Sequence, residues 1–246
     1  GYGLTITANG NLIVSGAVGG STDLSSYAVT TTGSASQTFS ANVETTGNQT
    51  YTAAGGIVTS GARTFDSSGG TVNFASALSG DNNVTVTGNA DIDGAITSIA
   101  VLSISGTSNV GADITTSGTQ TYTGAVTLSA NTVLTTSSDA VTFSNTVRSA
   151  DSTKRNLTIN TGGNGTVVTF DGIVGGNSKS LGVIVITGAL DLDAAITAAT
   201  SLSVSGASNV GADVTTTGTQ TYSGSVTLSG GNRILEGTTV ETAALN

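Results

Sequence analysis

The chain has 246 residues, with 35 glycines, 37% hydrophobic residues, only 9% charged residues and a formal net charge of −9. This is too hydrophobic for a disordered chain, so we expect a folded protein. His, Cys, Met, Trp and Pro are absent, which excludes disulfides, thiolate or imidazole metal ligands and most nucleophile–base pairs. The few basic residues are scattered along the sequence, which argues against nucleic-acid binding.

Short strands with period-two alternation are predicted along the whole chain. In each, two apolar residues flank Thr or Ser, so one face of the strand is dry and the other is wet. Strands of this kind recur roughly every 17 to 20 residues, about the circumference of a triangular coil with three short strands. The clearest examples, in chain order, are Val84–Val86, Leu102–Ile104, Val126–Leu128, Val141–Phe143 and Leu157–Ile159.

Helical patterns are missing from the sequence. No window has the apolar spacing of an amphipathic helix, and no apolar run reaches the roughly 18 residues that a membrane span needs. We therefore predict an all-β protein with essentially no helix and no transmembrane segment.

The motif A-[ND]-[VI]-x-T-x-G-x-Q-T-Y occurs three times, at Ala41–Tyr51, Ala112–Tyr122 and Ala212–Tyr222. If its tyrosine points into the core, alternation also buries the glutamine two residues earlier, whose amide then needs hydrogen bonds to neighbouring coils. A looser copy has Arg63 at the glutamine position. Because a guanidinium is costly to bury unpaired, we expect Arg63 to lie at a corner.

Most of the aromatic residues belong to repeated motifs. We interpret these as core anchors; the alternative is a platform on which sugars stack. They are Phe39, Tyr51, Phe65, Phe74, Tyr122, Phe143, Phe170 and Tyr222.

The sequence also repeats over a long period. The stretch from Val101 to Leu128 returns one hundred positions later with no gap, and three quarters of its positions are identical in the second copy. Repetition built from short strands and Gly or Asn turns is typical of a solenoid. We predict one continuous β-solenoid over residues 1–246, of about a dozen coils and on the order of 60 Å long, with repeat blocks at approximately 12–70, 71–165 and 166–246.

Carboxylates are the only plausible reactive groups. Asp91 and Asp93, and their repeat partners Asp191 and Asp193, are alternate residues and therefore share a strand face. Such a pair is typical of a cation site or a glycosidase, but the flanking residues are mostly apolar, and Ca²⁺ needs about six or more oxygen ligands. No Arg or Lys lies near them in sequence. We predict a solvated face, with no metal, no cofactor and no catalytic residue.

Two further patterns have ordinary explanations. The only basic pair, Lys154 and Arg155, lies in a polar stretch and predicts a solvated turn. Four N-x-T sequons could carry glycan, although Asn and Thr are simply abundant here. The sequons begin at Asn48, Asn83, Asn156 and Asn164.

The succession V-T-F-x-G-x-V-G-G, L-x-V-x-V and T-T-x-G-x-Q-T-Y-x-G-x-V-T-L resembles the repeat region of bacterial exoproteins of the filamentous haemagglutinin type. The resemblance covers nearly the whole chain and implies a right-handed parallel β-helix that is secreted to the cell surface. It implies an adhesin or surface fibre, and we expect a non-catalytic extracellular rod. Because uncapped end coils offer unpaired backbone groups, we expect the rod to associate head to tail with a second copy or with further repeats of the same protein. Host or cell-surface glycans are further candidate partners. The alternative is a β-helix protein that binds or cleaves carbohydrate.

Overall fold

The computed structural model describes residues 1–20 and 22–246. None of these residues lies in a helix, and their 31 strands form one sheet in which the strands pair in parallel. The sheet wraps into a β-solenoid of about 12 turns. The prediction of an all-β parallel solenoid without helix is confirmed.

Each coil contributes one strand segment to each of three faces, except that the first coil makes only isolated bridges at Val18 and Leu24 on the third face. Strands are numbered in chain order. On the first face lie β1 (Gly3–Ala8), β3 (Ser26–Thr31), β6 (Gln49–Ala53), β13 (Ser108–Val110), β16 (Val126–Leu128), β19 (Val147–Ser149), β22 (Val174–Gly175), β25 (Ile196–Ala199), β28 (Val214–Thr216) and β30 (Leu235–Glu236). On the second face lie β2 (Leu12–Val14), β4 (Gln37–Phe39), β7 (Ile57–Thr59), β9 (Leu78–Ser79), β11 (Ile96–Ile99), β14 (Ile114–Thr116), β17 (Thr132–Thr135), β20 (Leu157–Asn160), β23 (Val183–Thr187) and β26 (Ser201–Val204).

On the third face lie β5 (Val43–Thr45), β12 (Leu102–Ile104), β15 (Gln120–Tyr122), β18 (Val141–Phe143), β21 (Val167–Phe170), β24 (Ala189–Leu192) and β27 (Ser208–Val210). Four longer strands turn a corner and serve two faces. From the third face to the first run β8 (Arg63–Phe74) and β10 (Val84–Ile92), and from the second to the third run β29 (Thr219–Leu228) and β31 (Thr239–Leu245).

The length of a coil varies along the chain. Val84 pairs with Leu102, and Leu102 pairs with Gln120, so these two coils are equal in length. Val141 pairs with Val168, so that coil is half as long again. The strand register is nevertheless kept, because the extra residues lie in the turns and each coil packs only on its neighbours.

Alternation fills the interior with columns of like side chains. Tyr122, Phe143 and Phe170 occupy successive coils of the third face, with ring centroids 5.2 and 5.0 Å apart and nearly parallel planes. A second cluster of buried rings includes Phe39 and Tyr51, which meet edge to face at 5.1 Å. Contacts of this kind add about 0.5–1.5 kcal/mol per pair beyond the burial of the rings.

The long repeat does not match a whole number of coils. Gln49 is on the first face, where it pairs with Tyr27; Gln120 is on the third, opposite Leu102; and Gln220 is on the second, opposite Leu202. From Gln120 the chain therefore makes four full coils and then passes over two more faces before it reaches Gln220. Each copy of the motif is rotated by one face around the axis, so equivalent surface residues of successive copies point in different directions.

Local geometry is reproduced from copy to copy despite this rotation. Ser98 and Ala198 both have φ of 54°, in the left-handed region that residues with a Cβ rarely adopt. Each lies at a register shift, the first between Ile96 and Ile99 on the second face and the second between Ile196 and Ala199 on the first. The same bulge therefore forms on two different faces, which shows that the repeat encodes local structure.

Candidate functional site

The Gln-Thr-Tyr motif forms a clamp inside the core. Gln120 is fully buried, and its Nε2 donates to the carbonyl of Ile114 at 3.3 Å and to Thr116 Oγ1 at 3.3 Å. The same nitrogen donates at 2.9 Å to the carbonyl of Thr135 in the next coil. The Tyr122 hydroxyl donates to Gln120 Oε1 at 3.0 Å. The clamp thus joins two coils and satisfies both ends of the amide.

The other two copies make the same bonds. Gln49 Nε2 donates to the carbonyl of Asp66 at 2.6 Å and Gln220 Nε2 to that of Glu236 at 2.7 Å. In each copy the tyrosine hydroxyl donates to the glutamine Oε1, at 2.7 Å for Tyr51 and 3.1 Å for the last copy. The predicted burial of glutamine and tyrosine is confirmed. The glutamine and tyrosine of this repeated motif therefore serve the fold.

A fourth glutamine lacks the complete clamp. Gln37 is fully buried, and its Nε2 donates to the carbonyls of Val29 at 3.1 Å and Thr52 at 2.8 Å. The residue two positions later is Phe39, which has no hydroxyl, and Gln37 Oε1 has no hydrogen-bond partner in the part of the chain that the structure describes. This carbonyl is a buried polar group with a cost.

All eight aromatic residues of the repeated motifs are buried. The interpretation as core anchors is confirmed, and the alternative of a sugar-stacking platform is wrong for these rings because none reaches the surface. Arg63 lies at the corner where β8 begins, as expected. Its guanidinium donates to the carbonyls of Phe39 at 3.2 Å and Ala62 at 2.8 Å, and to that of Ser60.

Asp91 lies at the centre of a polar ladder on the outside of the first face. Its register neighbours are Asn73 in the preceding coil and Asn109 in the following one. Asn73 Nδ2 donates to Asp91 Oδ2 at 2.8 Å, and Asn109 Nδ2 donates to Asp91 Oδ1 at 2.8 Å. Asp93 is exposed at the following turn and also accepts from Asn73, at 3.1 Å. The carboxylate is thus held between two amides.

The repeat partner forms a shorter ladder on the third face. Asp191 lies between Thr169 and Asn209, and Asn209 Nδ2 donates to Asp191 Oδ1 at 2.8 Å. The long repeat therefore preserves the Asp–Asn pair and turns it by one face. The second copy lacks only the amide of the preceding coil, which Asn73 supplies in the first copy.

Both Asp–Asn pairs line shallow depressions. One, of about 370 Å³, is lined by Asp91, Asn109 and Thr127 among others. The other, of about 310 Å³, includes Asp191 and Asn209. Paired carboxylate and amide groups can accept from and donate to the vicinal hydroxyls of a sugar, and this is the chemistry that the depressions offer.

The structure brings no basic side chain into either ladder. Along the first face, Arg148 lies in the column of Asp91, but three coils away, on the order of 14 Å. Among residues 1–20 and 22–246, no group of three or more His, Cys, Asp or Glu is arranged to hold a metal ion.

Lys154 and Arg155 lie in the exposed turn 150–156, and the structure adds two basic residues that the sequence did not group with them. Lys179 lies in the turn of the next coil, and its carbonyl accepts a hydrogen bond from the Ser149 N–H at 3.0 Å. Arg148 directly precedes Ser149 on β19. Four of the six basic residues of the chain therefore lie on or next to two successive turns of one corner.

The four sequon asparagines are exposed at turns. Asn48 Oδ1 accepts a hydrogen bond from the Thr71 N–H of the following coil at 3.0 Å. Asn156 Oδ1 accepts one from the Val183 N–H of the following coil at 2.9 Å. Asn164 Oδ1 accepts from Ser205 Oγ at 2.8 Å. These three side chains staple turns, which gives a structural reason for the abundance of asparagine.

No protein-family model, curated protein or solved structure matches the chain. In the described ranges, there is no helix with the length and hydrophobicity needed to cross a membrane.

Proposed function

We propose that the chain is a segment of an extracellular structural or adhesive rod, non-catalytic, of the kind found in the repeat regions of filamentous-haemagglutinin-type exoproteins. The observation that carries the proposal is the use of the repeated residues. The Gln-Thr-Tyr clamps, the aromatic columns and the asparagine staples join one coil to the next, and the Asn164 staple reaches one coil further. Repetition of joining elements favours length and rigidity as the selected property.

The proposed self-association places a further coil on each end of the solenoid. Inward-facing side chains of the first and last coils are partly exposed, with Leu4 at 40%, Val240 at 38% and Leu245 at 60%. Their strands also present unpaired backbone groups on one side. A further coil, of the same chain or of a second copy stacked head to tail, would cover both.

Electron microscopy of the purified chain tests this function. We expect straight rods on the order of 60 Å long, with longer rods at multiples of that length as the concentration rises. Compact particles with no long axis would contradict the proposal, as would loss of parallel β structure in solution.

Glycan binding is the second candidate function, and the two depressions favour it. Calorimetry with neutral oligosaccharides would detect it, with Asp91→Ala and Asp191→Ala together abolishing the heat of binding. A variant of Gln120 would not test glycan binding, because this side chain is buried and its replacement would disturb the core.

A further inference from the structure

One edge of the solenoid separates its charges. This first–second edge consists of the turns between the first and second faces: 93–95, 111–113, 129–131, 150–156 and 176–182 in five successive coils. Asp93 and Asp113 are exposed on the first two of these turns. Lys154, Arg155 and Lys179 lie on the last two together with Asp151, so these two turns carry a net charge of +2. Lys154 Nζ donates to the Ala198 carbonyl at 3.1 Å. The middle turn is uncharged.

The shape of the edge follows the same division. The two acidic turns and the middle turn have three residues each, whereas the two basic turns have seven each. The basic end of the edge therefore protrudes at the exposed residues 151–154 and 177–178, whereas Leu181 folds back into the core.

The protruding turns are held in place. Ser149 is fully buried; its Oγ donates to the carbonyl of Ser180 at 2.9 Å and accepts from the Arg155 N–H at 3.0 Å. Arg155 also pairs with Asp151 at 3.6 Å. The hydrogen bond from the Thr153 N–H lowers the pKa of the Asp151 carboxyl. The Thr153 hydroxyl and the cations Arg155 and Lys179 lower this pKa further.

The second protruding turn has an unusual backbone. Gly175, the last residue of β22, and the turn residues Gly176, Asn177 and Ser178 are four consecutive residues with positive φ, from 52° to 89°. Asn and Ser pay a cost in this conformation, and such strain persists only where the surroundings fix the backbone. Lys179 follows directly, and its N–H donates to the Gly176 carbonyl at 2.9 Å. The basic turns are thus preorganised.

We propose that two copies of this chain pair side by side and antiparallel along the first–second edge, about a two-fold axis at the turn 129–131. The axis places the turn of Asp113 opposite the turn of Lys154, and the turn of Asp93 opposite that of Lys179, each contact occurring twice. Each receding acidic turn receives a protruding basic one. This pairing uses a lateral edge and is independent of the end coils and of the rod's proposed role outside the cell.

The pairing is weak and salt-dependent. The edge spans five coils, on the order of 24 Å, so the interface belongs to the small, transient class. Its attraction comes from exposed charges at Asp93, Asp113 and Lys154 and from half-buried ones at Arg155 and Lys179. These charges are screened when the Debye length falls to about 4 Å near 0.5 M salt. We expect dimers at sub-millimolar concentration in low salt, and monomers in 0.5 M NaCl.

A charge-swap experiment by sedimentation velocity tests the proposal. Lys154→Glu alone and Asp113→Lys alone should each weaken dimerisation at least tenfold, because like charges meet twice in each homodimer. An equimolar mixture should restore it, because both contacts of the mixed dimer are again between opposite charges. Circular dichroism establishes that each variant keeps its β structure.

Matched controls come from the repeat itself. Asp113 and Asp213 occupy equivalent positions and accept the same backbone bond, from Val133 and Ile234 respectively, each at 2.9 Å. Asp213 lies on a different edge, so Asp213→Lys should leave dimerisation unchanged, as should Arg233→Glu. The proposal is overturned if the mixture stays monomeric, which would assign the basic turns to an anionic partner other than this chain. Dimers that persist in 0.5 M NaCl would also overturn it.

Discussion

The buried glutamines illustrate how a polar residue can stabilise an apolar core. An amide placed there costs free energy unless each of its atoms is hydrogen-bonded. Gln49, Gln120 and Gln220 meet that condition through a carbonyl of the next coil and a tyrosine two residues later. The clamp requires the tyrosine hydroxyl, and Gln37 is the natural case without it.

Exchanging Phe and Tyr at these positions should change stability in opposite directions. Tyr122→Phe should lower the free energy of unfolding by about 1–3 kcal/mol, because Gln120 Oε1 loses its donor inside the core. Phe39→Tyr should raise it by about 1 kcal/mol, because the new hydroxyl would reach Gln37 Oε1. Urea titration followed by circular dichroism measures both.

Phe143→Tyr is the matched control. Phe143 stacks on Tyr122 in the same column, but Val141 stands where a clamp would have glutamine. A hydroxyl added there has no such acceptor and should destabilise the protein. Equal effects of tyrosine at positions 39 and 143 would refute the clamp.

At the scale of the strand and turn, glycine columns set the corners. Gly88, Gly106 and Gly124 follow one another at the edge between the third and first faces, and the Gly106 N–H donates to the Gly88 carbonyl at 2.9 Å. A Cβ at Gly124 would overlap the carbonyl of Gly106. Close stacking of backbone at these corners therefore requires glycine on the upper coil.

Gly124→Ala should lower the free energy of unfolding by about 1–3 kcal/mol, because the coil must shift to admit the methyl group. Gly163→Ala is the control, since a Cβ there meets no atom within 4 Å; its effect should stay within about 0.5 kcal/mol. Thermal unfolding of the two variants side by side makes the comparison. If Gly124→Ala proves as mild as its control, the corner is looser than the backbone contact with Gly106 indicates.

Strands such as Val84–Val86 could be predicted from sequence because alternation is a local property. The clamp could be predicted in part, since a buried Tyr122 implies a buried Gln120. The Asp–Asn ladders and the basic corner could not. They depend on which coil lies above which, and coils that differ in length by half conceal that register. Lys179 lies near Arg155 because two successive turns are long and stack on each other. The length of a turn cannot be read from a periodic sequence pattern.

For the whole molecule, the one-face rotation of the repeat has a consequence for any surface function. The Asp–Asn pairs of two successive copies lie on the first and third faces. If further repeats follow the same step, the next pair falls on the second face. A rod built in this way presents one kind of site around its whole circumference, whereas a repeat of whole coils would align the sites in a single row.

The stability of the whole rod should fall steeply at alkaline pH. Burial raises the pKa of Tyr27 to about 12 and raises the pKa values of Tyr122 and Tyr222 further. Burial also raises that of Tyr51, with the nearby Tyr27 adding to the effect. A phenol whose pKa is higher in the folded state keeps its proton there while the unfolded chain loses it. The stabilising contribution is therefore complete below about pH 10 and is lost as the pH rises above it.

We expect a free energy of unfolding that is nearly constant from pH 7 to 9. Above about pH 10 it should decrease by up to 1.4 kcal/mol per pH unit for each buried phenol. Urea titrations at stepped pH, with tyrosine ionisation followed by ultraviolet absorbance, give both quantities. Tyr2→Phe removes the exposed phenol, so the absorbance then reports only the buried four.

Tyr27→Phe separates ionisation from packing in this experiment. The Tyr27 hydroxyl is buried without a hydrogen-bond partner among the described residues, so its removal should leave the protein at least as stable at pH 7. The same change removes one titrating group. Between pH 10 and 12 the free energy of unfolding should therefore fall less steeply with pH, by the contribution of one phenol. An unchanged slope would mean that Tyr27 ionises equally in both states, which a ring sealed between coils does not allow.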